Sequence, residues 1–342
     1  MHNRSWVLAK RPQGVFQQDD VDLQDVPLSA IGDGQVLVRS IYFSIDPAYR
    51  VWMDEDAVPY LPPRPLGDQL WGSVVGVIEE SHHPSFEKGD VVAGILRLAE
   101  YNLSDGNDIA KIPPGFPLDK YYALYGHIGT TAYFGVELLN PQKDETLVVS
   151  SAAGGVGSIA VQIGNIYGCR VVGIAGSDER CRWLTEDLGL AAAINYKTQN
   201  LDEQLHATCP DGVDAYFDNV GGSTLDTILL HANKGARIAL SGMVSTYNTT
   251  QNRESSAIYQ LMQAVHKSIT IYGYIVLNYL DRYPEAFAQI HDWVETGKIK
   301  VGLTVVDGIE QVPQVIDNLL NSHYLGKVVV RVSEEPTQSV NQ

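Results

Sequence analysis

The segment Ser150-Ser151-Ala152-Ala153-Gly154-Gly155-Val156-Gly157 constrains the fold more than any other part of this 342-residue chain. It follows the apolar run Thr146-Leu147-Val148-Val149. It opens a stretch in which Val156, Ile159, Ala160, Ile163 and Ile166 recur at helical spacing. The pattern predicts a strand, a tight turn and a helix in succession, with those five residues as the buried face. Ala152, Gly154 and Gly157 fill the small positions of a G-x-G-x-x-G pattern, with Ala in place of the first Gly. Small residues there let the chain turn sharply, bring its backbone close to a pyrophosphate and seat the next helix on the sheet. The helix N-terminus then faces the anion with unpaired amides. Such a pattern alone is weak; the strand before it and the helix after it make it a dinucleotide-binding signature.

Strands and helices alternate from this point. Arg170–Ala175, Ala192–Tyr196, Val213–Asp218, Ala236–Leu240 and Ile269–Tyr274 read as five further strands, with a helix around Asp178–Leu188. Six parallel strands make a doubly wound Rossmann domain, a parallel α/β sheet. Upstream, Val36–Phe43, Gly72–Glu79 and Asp90–Leu96 are strand candidates separated by glycine-rich turns with no long helix. They suggest a small antiparallel barrel or sandwich. Ile128–Gly135 reads as helical, as does Pro284–Glu295. After the latter, Val301–Val306 and Lys327–Val332 return to β character and rejoin the first domain. The expected division is 1–126 plus 299–342 for the β-rich domain and 127–298 for the inserted nucleotide-binding domain. The polar tail from Ser333 to Gln338 and beyond is expected to be frayed.

A net charge of −17 with no basic run argues against nucleic acid and against anionic membrane surfaces, because phosphate contacts need clustered Lys and Arg. The N-terminus lacks the apolar core of a signal peptide, and no apolar segment is long enough to span a bilayer. Cys169, Cys181 and Cys209 form no C-x-x-C pair, which fits a reducing cytoplasm and no disulfide framework.

Several further motifs occur in order along the chain: Asp46-Pro47-Ala48-Tyr49-Arg50, Gly176-Ser177-Asp178-Glu179-Arg180, Phe217-Asp218-Asn219-Val220-Gly221-Gly222, Ser245-Thr246-Tyr247-Asn248 and Leu325-Gly326-Lys327. Together with the glycine-rich turn they cover nearly the whole sequence. On them the chain resembles the zinc-independent medium-chain dehydrogenase/reductases. Within these it is similar to the prostaglandin reductase and leukotriene B4 12-hydroxydehydrogenase group, with its plant double-bond reductases and bacterial curcumin reductase-like enzymes. The resemblance implies a GroES-like β-barrel around an inserted Rossmann domain, and a homodimer. Two positions depart from it. The group usually has Tyr where this chain has Ala48, with Tyr49 one residue later. It often has Asn where this chain has Tyr324. Both regions line the substrate and nicotinamide pocket in the group.

The cofactor preference is read from the end of the second nucleotide-domain strand. An NAD site places an acid there to hold the ribose 2′-hydroxyl. This chain has Gly176, which leaves room for a 2′-phosphate, and Arg180 follows in the first turn of the next helix. The expected cofactor is therefore NADPH (NADP+). Asp178 and Glu179 put negative charge nearby, and Arg180 paired with Asp178 or Asp187 on the helix surface is the competing assignment. The resemblance gives Arg180 and Tyr196 as phosphate contacts, with Ser177 adding a hydroxyl. It places Gly154, Gly155, Val156 and Gly157 at the pyrophosphate turn with Ala152. Thr131, Asn219, Gly242, Met243, Tyr274, Ile275, Val276 and Tyr324 are its remaining cofactor contacts. Asn219 is equally a turn residue before Gly221-Gly222.

Zinc enzymes of the superfamily carry a Cys and a Gly-His-Glu in the first domain. The comparable stretches here, Ser44-Ile45-Asp46-Pro47 and Gly67-Asp68-Gln69-Leu70-Trp71-Gly72, offer neither thiolate nor imidazole, so no catalytic metal is expected. That favours hydride addition to a polarised C=C. The reaction implied is reduction of α,β-unsaturated ketones or aldehydes, with hydride added at the β-carbon and charge developing on the carbonyl oxygen. Tyr247, after the fifth strand, is the first candidate donor to that oxygen. Tyr49 is the second candidate site residue, lining the substrate cleft. A quinone oxidoreductase and a non-catalytic NADPH-binding protein are the competing functions. Ile269–Leu277, an apolar strand at the sheet edge, is the expected dimer contact.

Overall fold

Val- and Ile-rich runs, buried over most of their length, build the β-rich part of the protein. The computed structural model describes residues 2–55, 62, 64–248 and 257–336. Two compact units divide it: Met1–Tyr121 with Thr304–His323 and Val328–Gln342, and Tyr122–Leu303 with Tyr324–Lys327.

In the first unit β1 (Arg4–Leu8) pairs antiparallel with β2 (Val21–Asp25). The main strands are β3 (Val36–Ser44), β4 (Trp71–Ser81), β5 (Val91–Arg97), β6 (Tyr101–Ser104) and β7 (Ile109–Lys111). Between β3 and β4 the short helix Ala48–Trp52 buries Arg50, whose guanidinium donates to the Gly14 carbonyl and pairs with Asp54 at 2.5 Å.

The second unit holds β8 (Thr146–Val149), β9 (Arg170–Ala175), β10 (Ala192–Asn195), β11 (Val213–Asp218), β12 (Ala232–Leu240) and β13 (Thr270–Gly273). They form one six-stranded sheet in the order β10-β9-β8-β11-β12-β13. Every pairing is parallel, the doubly wound order expected from the sequence. All four residues of β8 are buried, as a central strand covered on both faces requires. Strand order reverses between β8 and β11, where ligands bind in such sheets.

The helix Gly155–Ile166 differs from the expected single apolar stripe: Gly157 through Gly164 are all buried, Ser158 and Gln162 included. Gln162 is tolerated because its amide exchanges two hydrogen bonds with the backbone of Lys300, at 2.9 and 2.7 Å. The edge strand is shorter than the expected Ile269–Leu277. The chain leaves the ladder after Gly273 and turns helical over Val276–Arg282, exposing Ile275, Leu277 and Leu280.

The returning chain adds β14 (Leu303–Asp307) and β15 (Lys327–Arg331) to the first unit's sheet, giving the order β14-β15-β3-β4-β5-β7 with β6 on β3. The described part of the tail is tied down rather than frayed. Ser333 Oγ donates to the Ser40 carbonyl at 2.7 Å, Arg39 reaches the Glu334 carbonyl, and Tyr42 donates to Glu335 Oε1 at 2.8 Å. Residues 337–342 lie outside the described residues.

Candidate cofactor and active site

The glycine-rich turn leaves β8 through Ser150 and a left-handed Ser151 at φ 49°, then closes with Gly154 N–H on the Ser151 carbonyl at 2.9 Å. Gly157 sits where the helix crosses this turn. A Cβ built on it lies 2.2 Å from the Ser151 carbonyl oxygen and 2.9 Å from Ala152 Cα, so only glycine permits the approach. Ala152, at the first small position, is fully buried, and its methyl fits because the facing strand residue is Gly173. Gly326 supports the turn from the far side. Its amide donates to the Ala153 carbonyl at 2.8 Å, and at φ 70° it packs on the Gly302 backbone. Gly155 and Val156 open the helix, so their amides have no helical acceptor and lie next to the strand-order reversal.

Four side-chain groups gather at the end of β9. A Cβ on Gly176 would come 3.1 Å from Tyr196 Cε1 and 3.3 Å from Lys197 Cε. Ser177 caps the helix Asp178–Arg182, accepting the Arg180 amide at 3.3 Å. Arg180 is buried, and Nη2 donates to the Tyr324 carbonyl at 2.9 Å. Burial draws its pKa down, yet a guanidinium stays charged. The surface ion pair with Asp178 or Asp187 is not what forms: Asp178 instead accepts from Asn195 Nδ2 at 2.6 Å. Lys197 was not singled out from the sequence; its signal was its place directly after Tyr196 at the end of a strand.

The nicotinamide half of the predicted set meets at the ends of β11 and β12. Asn219 donates through Nδ2 to the Ser150 carbonyl at 2.7 Å, and its amide donates to Ser150 Oγ at 2.9 Å. Its carbonyl accepts the Val244 amide. A Cβ on Gly242 would lie 3.3 Å from the Tyr247 hydroxyl and 3.4 Å from the Asn219 carbonyl, so these three residues adjoin. Met243 packs on Gly221. Thr131 and Tyr274 form a second contact pair, the Tyr274 hydroxyl donating to the Thr131 carbonyl at 2.8 Å. Burial pushes the Tyr274 phenol's pKa up. Ile275 and Val276 follow directly.

Sequence reasoning missed Asp218, which holds this corner together. Fully buried, its Oδ1 accepts from Ser150 Oγ, the Tyr216 hydroxyl and the amides of Val220 and Gly221, at 2.8 to 3.0 Å. Burial raises its pKa, and those bonds oppose the rise. The signal was the Phe-Asp-Asn motif itself, read for Asn219 alone.

Tyr49 is a correction. It is 2% exposed, and its hydroxyl donates to the Ser44 carbonyl at 2.6 Å over Gly72, where any Cβ would collide with it. Successive helix residues diverge by about 100°, so a tyrosine one place after Ala48 turns into the barrel core. The phenol is committed to the backbone, and the expected place of Tyr49 on the wall of the substrate cleft is not proposed again. Among the described residues no group of three or more His, Cys, Asp or Glu is placed to hold a metal ion. Residues 56–61, 63 and 249–256 lie outside the described residues.

Known proteins resemble this chain in sequence and in fold. Residues 4–112 match the family model described as the N-terminal domain of oxidoreductase, and residues 155–296 match the one described as zinc-binding dehydrogenase. The chain is 38% identical to the NADPH-dependent curcumin reductase of Escherichia coli, covering 97% of both chains. It is 34% identical to prostaglandin reductase 1 of Mus musculus, over 96% of this chain and 98% of that one. Among solved structures it is similar to CurA from Vibrio vulnificus in complex with NADPH, with TM-score 0.91 and 36% identity, over 97% of this chain and 100% of that one. The match extends through both units, and the chain belongs to the medium-chain dehydrogenase/reductase family, in the group of the curcumin and prostaglandin reductases.

Proposed function

We propose that this protein is an NADPH-dependent reductase of the C=C bond of α,β-unsaturated ketones and aldehydes. The observation that carries the reading is the corner at Gly176. In place of an acid it gathers Ser177, Arg180, Tyr196 and Lys197, two cations and two hydroxyls around the space a 2′-phosphate needs. The glycine-rich turn fits a pyrophosphate, and the names of the Escherichia coli and Vibrio vulnificus relatives include NADPH. In this reading Ala152, Gly154, Gly155, Val156 and Gly157 hold the pyrophosphate. Thr131, Asn219, Gly242, Met243, Tyr274, Ile275 and Val276 surround the nicotinamide half, and Tyr324 adjoins the 2′-phosphate corner, where its carbonyl accepts from Arg180. Bound there, NADPH supplies the hydride that adds to the substrate β-carbon.

The chain's own residues bind, orient and donate. Asp218 and Ser150 lock Asn219, and Asn219 fixes the segment carrying Tyr247. Tyr247 donates a hydrogen bond to the carbonyl oxygen as charge develops on it. Removing a lone donor of this kind costs on the order of 10²–10³ in rate. A ribose hydroxyl shares the task here, so Tyr247→Phe is expected to lower kcat/KM about tenfold. An unchanged kcat/KM removes Tyr247 from the mechanism. The reaction is proposed to be metal-independent, because the stretches Ser44–Pro47 and Gly67–Gly72, comparable to those that carry Cys and Gly-His-Glu in zinc relatives, offer neither thiolate nor imidazole. Identification of the product of a medium-chain 2-enone tests the reading: a saturated ketone supports it, and an allylic alcohol overturns it.

We also propose a homodimer formed through the β13 edge. Around that strand the chain exposes Leu261 at 52%, Val265 at 71% and Leu280 at 57%. Light scattering after size exclusion is expected to give twice the chain mass; the mass of one chain overturns it.

A further inference from the structure

An acidic pair stands beside the corner at Gly176. Asp178 and Glu179 follow Gly176 and Ser177 directly, so two carboxylates lie next to the position where an NAD site keeps its acid. Next to a bound 2′-phosphate, like charge lowers affinity. Both residues are exposed, and Glu179 acts on Arg180, opposing the fall in pKa that burial causes. Asp178 has a different partner. Asn195, the last residue of β10, is 4% exposed and is the register partner of Ala175, the residue before Gly176. Its side-chain amide is engaged at both ends: Nδ2 donates to Asp178 Oδ1 at 2.6 Å, and Oδ1 accepts the Lys197 amide at 3.2 Å. Its backbone is equally fixed. The Asn195 amide donates to Gln199 Oε1 at 2.8 Å, and its carbonyl accepts the amides of Thr198 and Gln199 at 3.2 and 3.0 Å. All of these residues belong to the second unit.

One buried side chain therefore handles both signs of charge. The bond to Asp178 is charge-assisted and short, and it ties that carboxylate to the end of β10. The bond from Lys197 N–H closes an Asx turn, in which the side-chain oxygen draws back the residue two places on. That turn presents Tyr196 and Lys197 to the corner: the three atoms nearest a Cβ on Gly176 belong to these two residues and not to an acid. A carboxamide is suited to the task because it carries a donor and an acceptor on one planar group. An aspartate at 195 would keep the Asx turn but face Asp178 with like charge, and an alanine would release both partners.

We infer that Asn195 is a positioning residue that sets the nicotinamide preference: Nδ2 restrains the acid beside the 2′-phosphate space, and Oδ1 fixes the turn that brings Tyr196 and Lys197 to it. Its effect on a 2′-phosphate rests on the proposed function; its hydrogen bonds do not. Calorimetric titration of the full-length protein with NADPH and with NADH tests the role without turnover. Asn195→Ala is expected to weaken NADPH about tenfold and to leave NADH within about twofold of wild type. Asp178→Asn alone keeps an acceptor for Nδ2 and is expected to leave both nucleotides within about twofold. Added to Asn195→Ala, it removes the released carboxylate and is expected to recover about threefold of the NADPH loss. Asn195→Asp serves as the second variant if Asn195→Ala fails to fold. It is expected to weaken NADPH about tenfold, and Asp178→Asn to reverse that loss, because the residue at 178 then donates to the one at 195. Equal losses of NADPH and NADH, as a residue that only supports the fold would give, overturn the assignment. So does an NADPH loss that Asp178→Asn leaves whole. A wild type that prefers NADPH, with Asn195→Ala showing the same ratio, removes the role of Asn195 alone. A wild type that binds both nucleotides alike removes the proposed use of the corner and the role of Asn195 with it.

Discussion

Gly157→Val is expected to weaken NADPH binding by about two orders of magnitude, close to 3 kcal/mol. Its backbone is ordinary helix, so conformational freedom is not the issue; space is. The nearest obstacles to a Cβ are the Ser151 carbonyl oxygen at 2.2 Å and the Ser151 carbonyl carbon and Ala152 Cα at 2.9 Å, all backbone. No rotamer relieves them, so the helix must move off the turn, and a displacement near 1 Å at a binding site costs about 10²-fold. Gly155→Ala is the internal control: its nearest contacts, at 3.4 and 3.5 Å, are side-chain atoms of Ile128 and Lys327 at ordinary separation. It is expected to bind NADPH within a few-fold of wild type. Titration of both variants, with a thermal melt to show that they fold, checks the pair. Near-wild-type binding by Gly157→Val would mean that the turn does not hold the pyrophosphate.

Gly176→Asp is expected to reverse the nicotinamide preference. The new Cβ meets the ring edge of Tyr196 and the end of Lys197, both exposed side chains able to swing aside. The carboxylate then occupies the space left for a 2′-phosphate and offers the acceptor a 2′-hydroxyl needs. Repulsion and lost contacts together are expected to lower NADPH affinity about 10²-fold while NADH affinity rises. Arg180→Met alone removes one charge-assisted contact and is expected to cost NADPH about tenfold with NADH unaffected. Dissociation constants for both nucleotides with wild type and the two variants check this. An unchanged ratio in Gly176→Asp would place the phosphate elsewhere.

The sequence was most informative where one physical demand dominates. The run Thr146–Val149 is legible as a central parallel strand because both its faces are covered and its interior is wholly apolar, whereas Val213–Asp218 keeps a half-buried Asp214 near its start, where it accepts the Thr146 amide. The glycine-rich turn is legible because only small residues survive its close approaches. The Gly176 corner was half legible. Absence of an acid and presence of Arg180 are local facts, whereas Lys197 lies in the turn after β10 and meets Gly176 only because β10 pairs with β9. Asp218 was passed over for a similar reason: its four bonds converge from three segments, and none has sequence periodicity. Tyr49 was misjudged because one residue of offset in a five-residue helix decides whether a ring faces a cleft or a core. Ile269–Leu277 reads as one apolar strand, but hydrophobicity does not mark where a strand ends. The helical turn Val276–Arg282 takes over at residues that are apolar and exposed.

The most direct test of the account is turnover of a medium-chain 2-enone by the wild-type protein with NADPH and with NADH, the product identified by mass and NMR. The account predicts a saturated ketone and a kcat/KM at least about tenfold higher with NADPH. Equal use of the two nicotinamides, or turnover confined to quinones with quinol as product, would contradict it.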